Sequence, residues 1–266
     1  MEQKRVPDDV HLRPTIIGHE FAGYLRQVGR RWASQFKPGQ KFTIQPAIGY
    51  KGSLDAPGYS FQYIGGMASY VVIPSCVMEM ECLLPYEGEG FFKASLSEPG
   101  SCLIGAAHAQ YLTRLGSYVH QMGIVEGGDC AILAGAGPMG LGCVDYFLHG
   151  PRKPQRLVVT DVDQARLDRA ARFMRVEEAA ACGVELHYIN TAKIANPLES
   201  LRQITGGKGY EDVFVFAPVA AVVEQGDALL ARNGCLNFFA GPPDPALTAR
   251  FNFYNVHYAE NHLVGT

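Results

Sequence analysis

The chain has 266 residues, of which 47% are hydrophobic and 18% charged, a composition that supports a buried core and excludes a disordered chain. Its 23 basic and 26 acidic residues leave a net charge of −3, so no charge excess draws it to nucleic acid or an anionic membrane. The length suggests one or two domains, and thirty glycines, about 11% of the chain against an ordinary share of about 7%, call for tight turns or close backbone approaches.

The start, Met1-Glu-Gln-Lys-Arg-Val-Pro-Asp-Asp, is charged and lacks the apolar stretch of a secretory signal. No uninterrupted apolar run reaches the ~18 residues of a membrane span. Seven scattered cysteines without a Cys-x-x-Cys pair suggest neither a disulfide framework nor a zinc knuckle, and read as small core residues. A cytoplasmic protein is expected.

The first hundred residues read as short strands and loops. Phe42-Thr-Ile-Gln and Tyr70-Val-Val-Ile are β-rich pieces, and Pro38-Gly39 between apolar segments predicts a type II turn. Residues 49–63 are polar, aromatic and rich in glycine, an irregular lobe or loop; Gly65-Gly66 then breaks the chain before Ala68–Ile73. Residues 96–115 carry apolar positions at helical spacing, with Glu98-Pro99 near the start, where proline is tolerated. Beyond this, strands expected at 130–134, 157–160, 186–189, 213–216, 235–239 and 263–265 alternate with helices expected at 138–148, 163–173, 197–205 and 219–230. That alternation implies an α/β unit with a doubly wound parallel sheet, preceded by an irregular β-rich unit, with a boundary near residue 105.

Gly135-Ala136-Gly137-Pro138-Met139-Gly140 follows the apolar strand ending at Ala134 and opens a helix. In a chain this rich in glycine the spacing alone is weak, and a glycine turn in an unrelated α/β protein is the alternative. The context is that of a dinucleotide site: Gly135 for the turn, Gly137 for approach of a pyrophosphate, Gly140 for close helix–strand packing, and free N–H groups at the helix start. The next strand ends in Asp161, 21 residues after Gly140, where a carboxylate would accept hydrogen bonds from the adenosine ribose. Val162 and Asp163 follow and the first basic residue is Arg166, so the pattern favours NAD over NADP.

Gly18-His19-Glu20-Phe-Ala-Gly23, then Phe36-Lys-Pro-Gly-Gln-Lys-Phe42, Gly65-Gly-Met-Ala-Ser-Tyr-Val-Val-Ile-Pro74, Ser97-Glu98-Pro99 and the glycine turn stand in an order that resembles the medium-chain zinc-dependent alcohol and polyol dehydrogenases, from about residue 14 to the end. Within that family the sorbitol and sugar-phosphate branch is most similar. The resemblance implies a GroES-like catalytic domain (residues 1–105) joined to a Rossmann domain (106–266), with catalytic zinc in the cleft between them. By the same resemblance His19 ligates zinc through a neutral imidazole nitrogen, Glu20 is a ligand or close neighbour, and Glu98 approaches the metal; a helix-terminal acid favoured by the dipole is the alternative for Glu98. The implied chemistry is hydride transfer between a polyol or sugar-phosphate alcohol and its ketone, with homo-oligomers common in the family.

Two features depart from the pattern. The family's first zinc ligand is a cysteine upstream of the His-Glu motif, and the 18 residues before His19 hold none; the four-cysteine lobe of a second zinc has no counterpart between about 39 and 63. The chain also stops after the expected last Rossmann strand, where the family continues, so the sequence reads as truncated at both ends, with exposed apolar surface to follow. A zinc-free reductase of the same superfamily and a non-catalytic NAD-binding module are therefore the competing functions. Lys4, Arg5 and Arg13 are read as a solvated tail rather than a phosphate contact, and His108 as a packing residue.

Overall fold

The computed structural model describes residues 6–114, 116–117 and 119–265. It divides into two compact units, 1–101 and 102–266. The division falls inside a helix, Ser97–Ala109, four residues ahead of the boundary expected from sequence.

In the first unit, strands β1 (Ala22–Tyr24), β2 (Lys41–Ile44) and β3 (Leu83–Pro85) form an antiparallel sheet with β2 central. Helix α1 (Ser75–Glu79) precedes β3, and α2 (Phe91–Ser95) and α3 (Ser97–Ala109) follow it. Pro38-Gly39 makes the expected turn: Gly39 takes φ +86° and the Gln40 N–H donates to the Lys37 carbonyl at 3.2 Å. The core gathers Phe21, Leu25, Phe42, Ile44, Ile64, Val77 and Leu83. Residues 70–73 alternate as a strand should, with Val71 and Ile73 packed on that core and Tyr70 and Val72 exposed. They form no ladder, however. The Val72 N–H reaches the Tyr63 carbonyl and no strand among the described residues lies alongside, so the β assignment of 70–73 is corrected to extended loop.

The second unit contains the hairpin β4 (Tyr111–Thr113) and β5 (His120–Met122), where the sequence suggested a helix continuing to 115; α3 ends at Ala109, and Leu115 lies outside the described residues. There follow β6 (Asp129–Leu133), α4 (Pro138–His149), β7 (Arg156–Asp161), α5 (Gln164–Phe173), α6 (Val176–Ala181), β8 (Glu185–Asn190), α7 (Pro197–Ile204), β9 (Tyr210–Val215), α8 (Ala220–Leu229), β10 (Leu230–Phe238), α9 (Phe253–Tyr258) and β11 (His262–Gly265). The six strands β6–β11 pair in the order β11-β10-β9-β6-β7-β8, all parallel. The strand order reverses beside β6, the crevice at which open parallel sheets bind ligands. Alternate residues explain why these strands read as continuous apolar runs: Cys130 and Ile132 enter one core with Phe147, Leu157 and Phe214, while Ala131 and Leu133 enter the other with Val158, Val213 and Leu236. No helix of the described residues is long and apolar enough to cross a membrane.

One buried carboxyl ties this unit together. Asp212 on β9 accepts hydrogen bonds from the Val125 N–H at 2.8 Å and the Gln110 amide at 3.0 Å. Burial nevertheless pushes its pKa up to about 7, outweighing those two donors. The unfolded chain titrates this group near the ordinary carboxylate value of about 4, so between pH ~4 and ~7 the folded form keeps a proton the unfolded form has lost. Its contribution to stability is thus present at acid pH and lost as pH rises through about 7. Urea unfolding midpoints of wild type should fall from pH 5 to pH 8, and Asp212→Asn, which cannot ionise, should lose that part of the slope; parallel profiles would contradict the assignment.

Candidate functional site

In the first unit, the segment 14–18 is strapped to residues 58–67 by backbone bonds. Ile16 N–H donates to the Phe61 carbonyl at 3.1 Å, Gly66 N–H to Gly18 at 2.6 Å and Met67 N–H to Ile17 at 3.0 Å. Gly18 sits at φ +93°, which turns the chain so that His19 and Glu20 leave the strap together, just ahead of the core residue Phe21. Gly58, at φ +77°, lies directly under this turn: a Cβ there would come within 2.4 Å of the Gly18 carbonyl oxygen and 2.5 Å of the His19 Cα. Only glycine satisfies both the dihedral and the contact.

The third group arrives from α3. Buried Thr43 on β2 bonds through its hydroxyl to the Ala94 carbonyl at 2.9 Å and the Ser97 hydroxyl at 3.1 Å, which pins the start of the helix that carries Glu98 in its first turn. The His19 Nε2 is 3.7 Å from Glu20 Oε1 and 3.8 Å from Glu98 Oε2, and one ligand atom from each of the three residues lies within 4.8 Å of the others. Donors at ~2.0–2.2 Å from a tetrahedral zinc are about 3.3–3.6 Å apart, so each His19–carboxylate pair is within a few tenths of an ångström of that edge, and the two carboxylates would draw together to complete the set. Imidazole nitrogen with two carboxylate oxygens suits zinc chemically. Glu98 is well enclosed, whereas Glu20 is 44% exposed.

Tyr59, which the sequence reading passed over within an irregular lobe, completes the surroundings. Its ring stacks on His19 with centroids 4.6 Å apart and planes 26° apart, and its hydroxyl is 3.2 Å from His19 Nε2. A glycine-tyrosine pair in a polar loop was the available signal, yet nothing in the spacing says that residues forty apart touch.

In the second unit, the turn after β6 has the shape its glycines demand. Gly135 N–H donates to the Thr160 carbonyl at 2.8 Å, and a Cβ on Gly140 would stand 2.1 Å from the Gly135 carbonyl oxygen. Gly137 is the opposite case: nothing lies within 4 Å of its missing Cβ. It is the N-cap of α4 with no side-chain cap, Pro138 takes the first helical position, and Met139 and Gly140 follow, so the first N–H groups of this twelve-residue helix have no partner within the helix. Ala136 is buried. These observations fit a pyrophosphate at the turn.

Asp161, at the end of β7, is buried. Its Oδ1 accepts from the Val162 and Asp163 N–H groups at 2.8 and 3.0 Å, and its Oδ2 accepts from the Ala136 N–H at 3.3 Å. The carboxylate thus binds its own loop to the glycine turn and keeps lone pairs for a further donor. Val162 is exposed beside it, and Arg166 is turned to Asp163 at 3.6 Å on the surface of α5. Of the residues set aside, His108 Nε2 is 3.4 Å from the Tyr146 hydroxyl, Arg13 pairs with Asp9 at 2.6 Å, and Lys4 and Arg5 lie outside the described residues.

Residues 3–81 match the family described as the alcohol dehydrogenase GroES-like domain. The chain is 50% identical over 265 residues to mannitol-1-phosphate 5-dehydrogenase of Aliivibrio fischeri and 47% identical over 265 residues to L-sorbose 1-phosphate reductase of Klebsiella pneumoniae. Residues 3–81 thus carry a GroES-like domain of this kind, and over its whole length the chain is similar to these two oxidoreductases. Each alignment covers 100% of this chain but 62% and 63% of the two relatives, so it spans less than two thirds of their length. A crystal structure assigned as a zinc-binding dehydrogenase from Sinorhizobium meliloti 1021, bound to NADP, superposes with a TM-score of 0.70 at 18% identity over 95% of this chain and 68% of that one, a likeness of fold.

The two glycines of the turn should separate in stability. Gly140→Ala must push the helix off the strand and should cost about 2 kcal/mol or more, whereas Gly137→Ala, with open space around it, should stay within about 0.5 kcal/mol of wild type. Denaturant unfolding of both variants checks this.

Proposed function

We propose that the protein is an NAD(H)-linked, zinc-dependent oxidoreductase that interconverts a secondary alcohol of a polyol or sugar phosphate with its ketone. The observation that carries this reading is the convergence of one ligand atom each from His19, Glu20 and Glu98 within 4.8 Å of one another, in a chain whose other unit presents a glycine turn to a helix N-terminus. When bound, zinc would polarise the carbonyl or alkoxide oxygen and nicotinamide would carry the hydride. The chain's own part is to hold and orient. His19 would offer one imidazole nitrogen, and the enclosed Glu98 and the more exposed Glu20 an oxygen each. At the other site the Met139 and Gly140 N–H groups at the start of α4 would hold the pyrophosphate, Gly137 would admit its approach, and Asp161 would accept from the adenosine ribose.

Asp161 also sets the cofactor preference. Its negative charge would repel a 2′-phosphate, Val162 brings no compensating charge, and Arg166 is engaged with Asp163. NAD is therefore preferred, in contrast to the NADP held by the S. meliloti structure. A polyol or sugar phosphate as substrate is supported by the names of the two relatives, and a homo-oligomer by the habit of the family.

Metal content and cofactor titration test the reading together. Wild type should carry one zinc per chain and His19→Ala none, with NAD bound at least tenfold more tightly than NADP. Gly137→Ala, folded as wild type, should weaken NAD by a similar factor, because the added methyl stands where the phosphates approach. NAD binding with no stoichiometric zinc would favour a zinc-free reductase, and a preference for NADP would overturn the role of Asp161.

A further inference from the structure

Resting on the metal reading above, the contact between Tyr59 and His19 has a consequence for how that metal is held. A neutral imidazole offers a metal a single lone pair on each unprotonated nitrogen. The two carboxylate oxygens of the cluster gather round Nε2 rather than Nδ1, so Nε2 is the atom an ion would take. That atom is already engaged: the Tyr59 hydroxyl stands 3.2 Å away, closer than either carboxylate. If Nε2 accepts, the phenol O–H uses its lone pair; if Nε2 carries a proton, that proton points at the phenol oxygen. In either tautomer the contact must be given up before an ion binds.

The loop is built to make this contact. Gly58 N–H donates to the Ile64 carbonyl at 3.0 Å, Tyr59 N–H to the Ala56 carbonyl at 3.1 Å, and the Ala56 N–H to the Ser60 hydroxyl at 3.1 Å. With Gly58 pressed against the Gly18–His19 backbone, the next side chain is delivered onto the imidazole face, giving the 4.6 Å ring stack. Stack and hydroxyl then do different things. The stack uses the face of the imidazole and leaves its nitrogens to other partners, whereas the hydroxyl bond and an ion would compete for the same Nε2.

We propose that Tyr59 is a positioning residue of the metal site, whose ring sets the plane of the His19 imidazole and whose hydroxyl occupies Nε2 as a placeholder that an incoming divalent cation displaces. The placeholder keeps Nε2 satisfied in the metal-free protein and lowers affinity for the ion by the strength of one hydrogen bond. Removing it strengthens binding, an effect that damage to the site would not produce.

The test is competition of the full chain against a chromophoric chelator for Zn²⁺, and separately for Co²⁺, with wild type, Tyr59→Phe, Tyr59→Leu and His19→Ala. A net hydrogen bond is worth about 0.5–1.5 kcal/mol, so Tyr59→Phe, which keeps the stack, should bind Zn²⁺ about two- to tenfold more tightly than wild type. Tyr59→Leu, which also loses the stack, should bind less tightly than Tyr59→Phe. Unchanged or weaker binding by Tyr59→Phe overturns the placeholder role. Retention of the ion by His19→Ala overturns the metal reading itself, and the two failures are thereby distinguished.

Discussion

Both candidate sites depend on one constraint, that two backbone segments touch with no side chain between them. A Cβ at Gly58 would lie 2.4 Å from the Gly18 carbonyl oxygen, and one at Gly140 would lie 2.1 Å from that of Gly135. Gly65 repeats the pattern, with Ile16 O 2.3 Å from its missing Cβ. At such distances nothing but hydrogen fits, and the contacts set where functional groups point: the first turns His19 toward Glu98, and the second seats the start of α4 against the end of β6. The glycine excess of the composition is partly accounted for in these contacts, and partly in the left-handed turns at Gly18 and Gly39.

The cost of this design is borne by rigid surroundings rather than by the site residues. Thr43, buried in β2, spends its hydroxyl on Ala94 and Ser97 at the entry to α3. Asp161 spends its charge on three backbone N–H groups and so joins two loops that a dinucleotide would bridge. A carboxylate held by backbone donors is fixed in direction, which is what recognition of a ribose hydroxyl requires.

The parallel sheet was legible because its inner strands β6, β7 and β9 are buried on both faces and bounded by turn residues. Cys130–Leu133 and Val213–Val215 are apolar throughout, and the helices between them carry their own punctuation in Pro138, Asp163 and Pro197. The first unit was less so. Its strands are three or four residues long, and Val71 and Ile73 point inward in a segment that pairs with no strand, so periodicity alone suggested a ladder that backbone bonding does not supply. The hairpin at Tyr111–Met122 was hidden for a related reason, since apolar residues at helical spacing continue past the end of α3.

The candidate site was legible as types and order of residues, through the resemblance of the His-Glu and Ser-Glu-Pro motifs. Its geometry was not, because the approach of Glu98 to His19 is a tertiary contact set by Thr43 and α3, and the stack of Tyr59 is set by a left-handed glycine. The central claim is that one imidazole and two carboxylates of this chain hold a zinc ion. X-ray absorption at the zinc edge of the loaded protein reads that shell directly. The account predicts nitrogen and oxygen scatterers alone at about 2.0–2.2 Å, with the outer-shell signature of a single imidazole. A sulfur scatterer near 2.3 Å would contradict it.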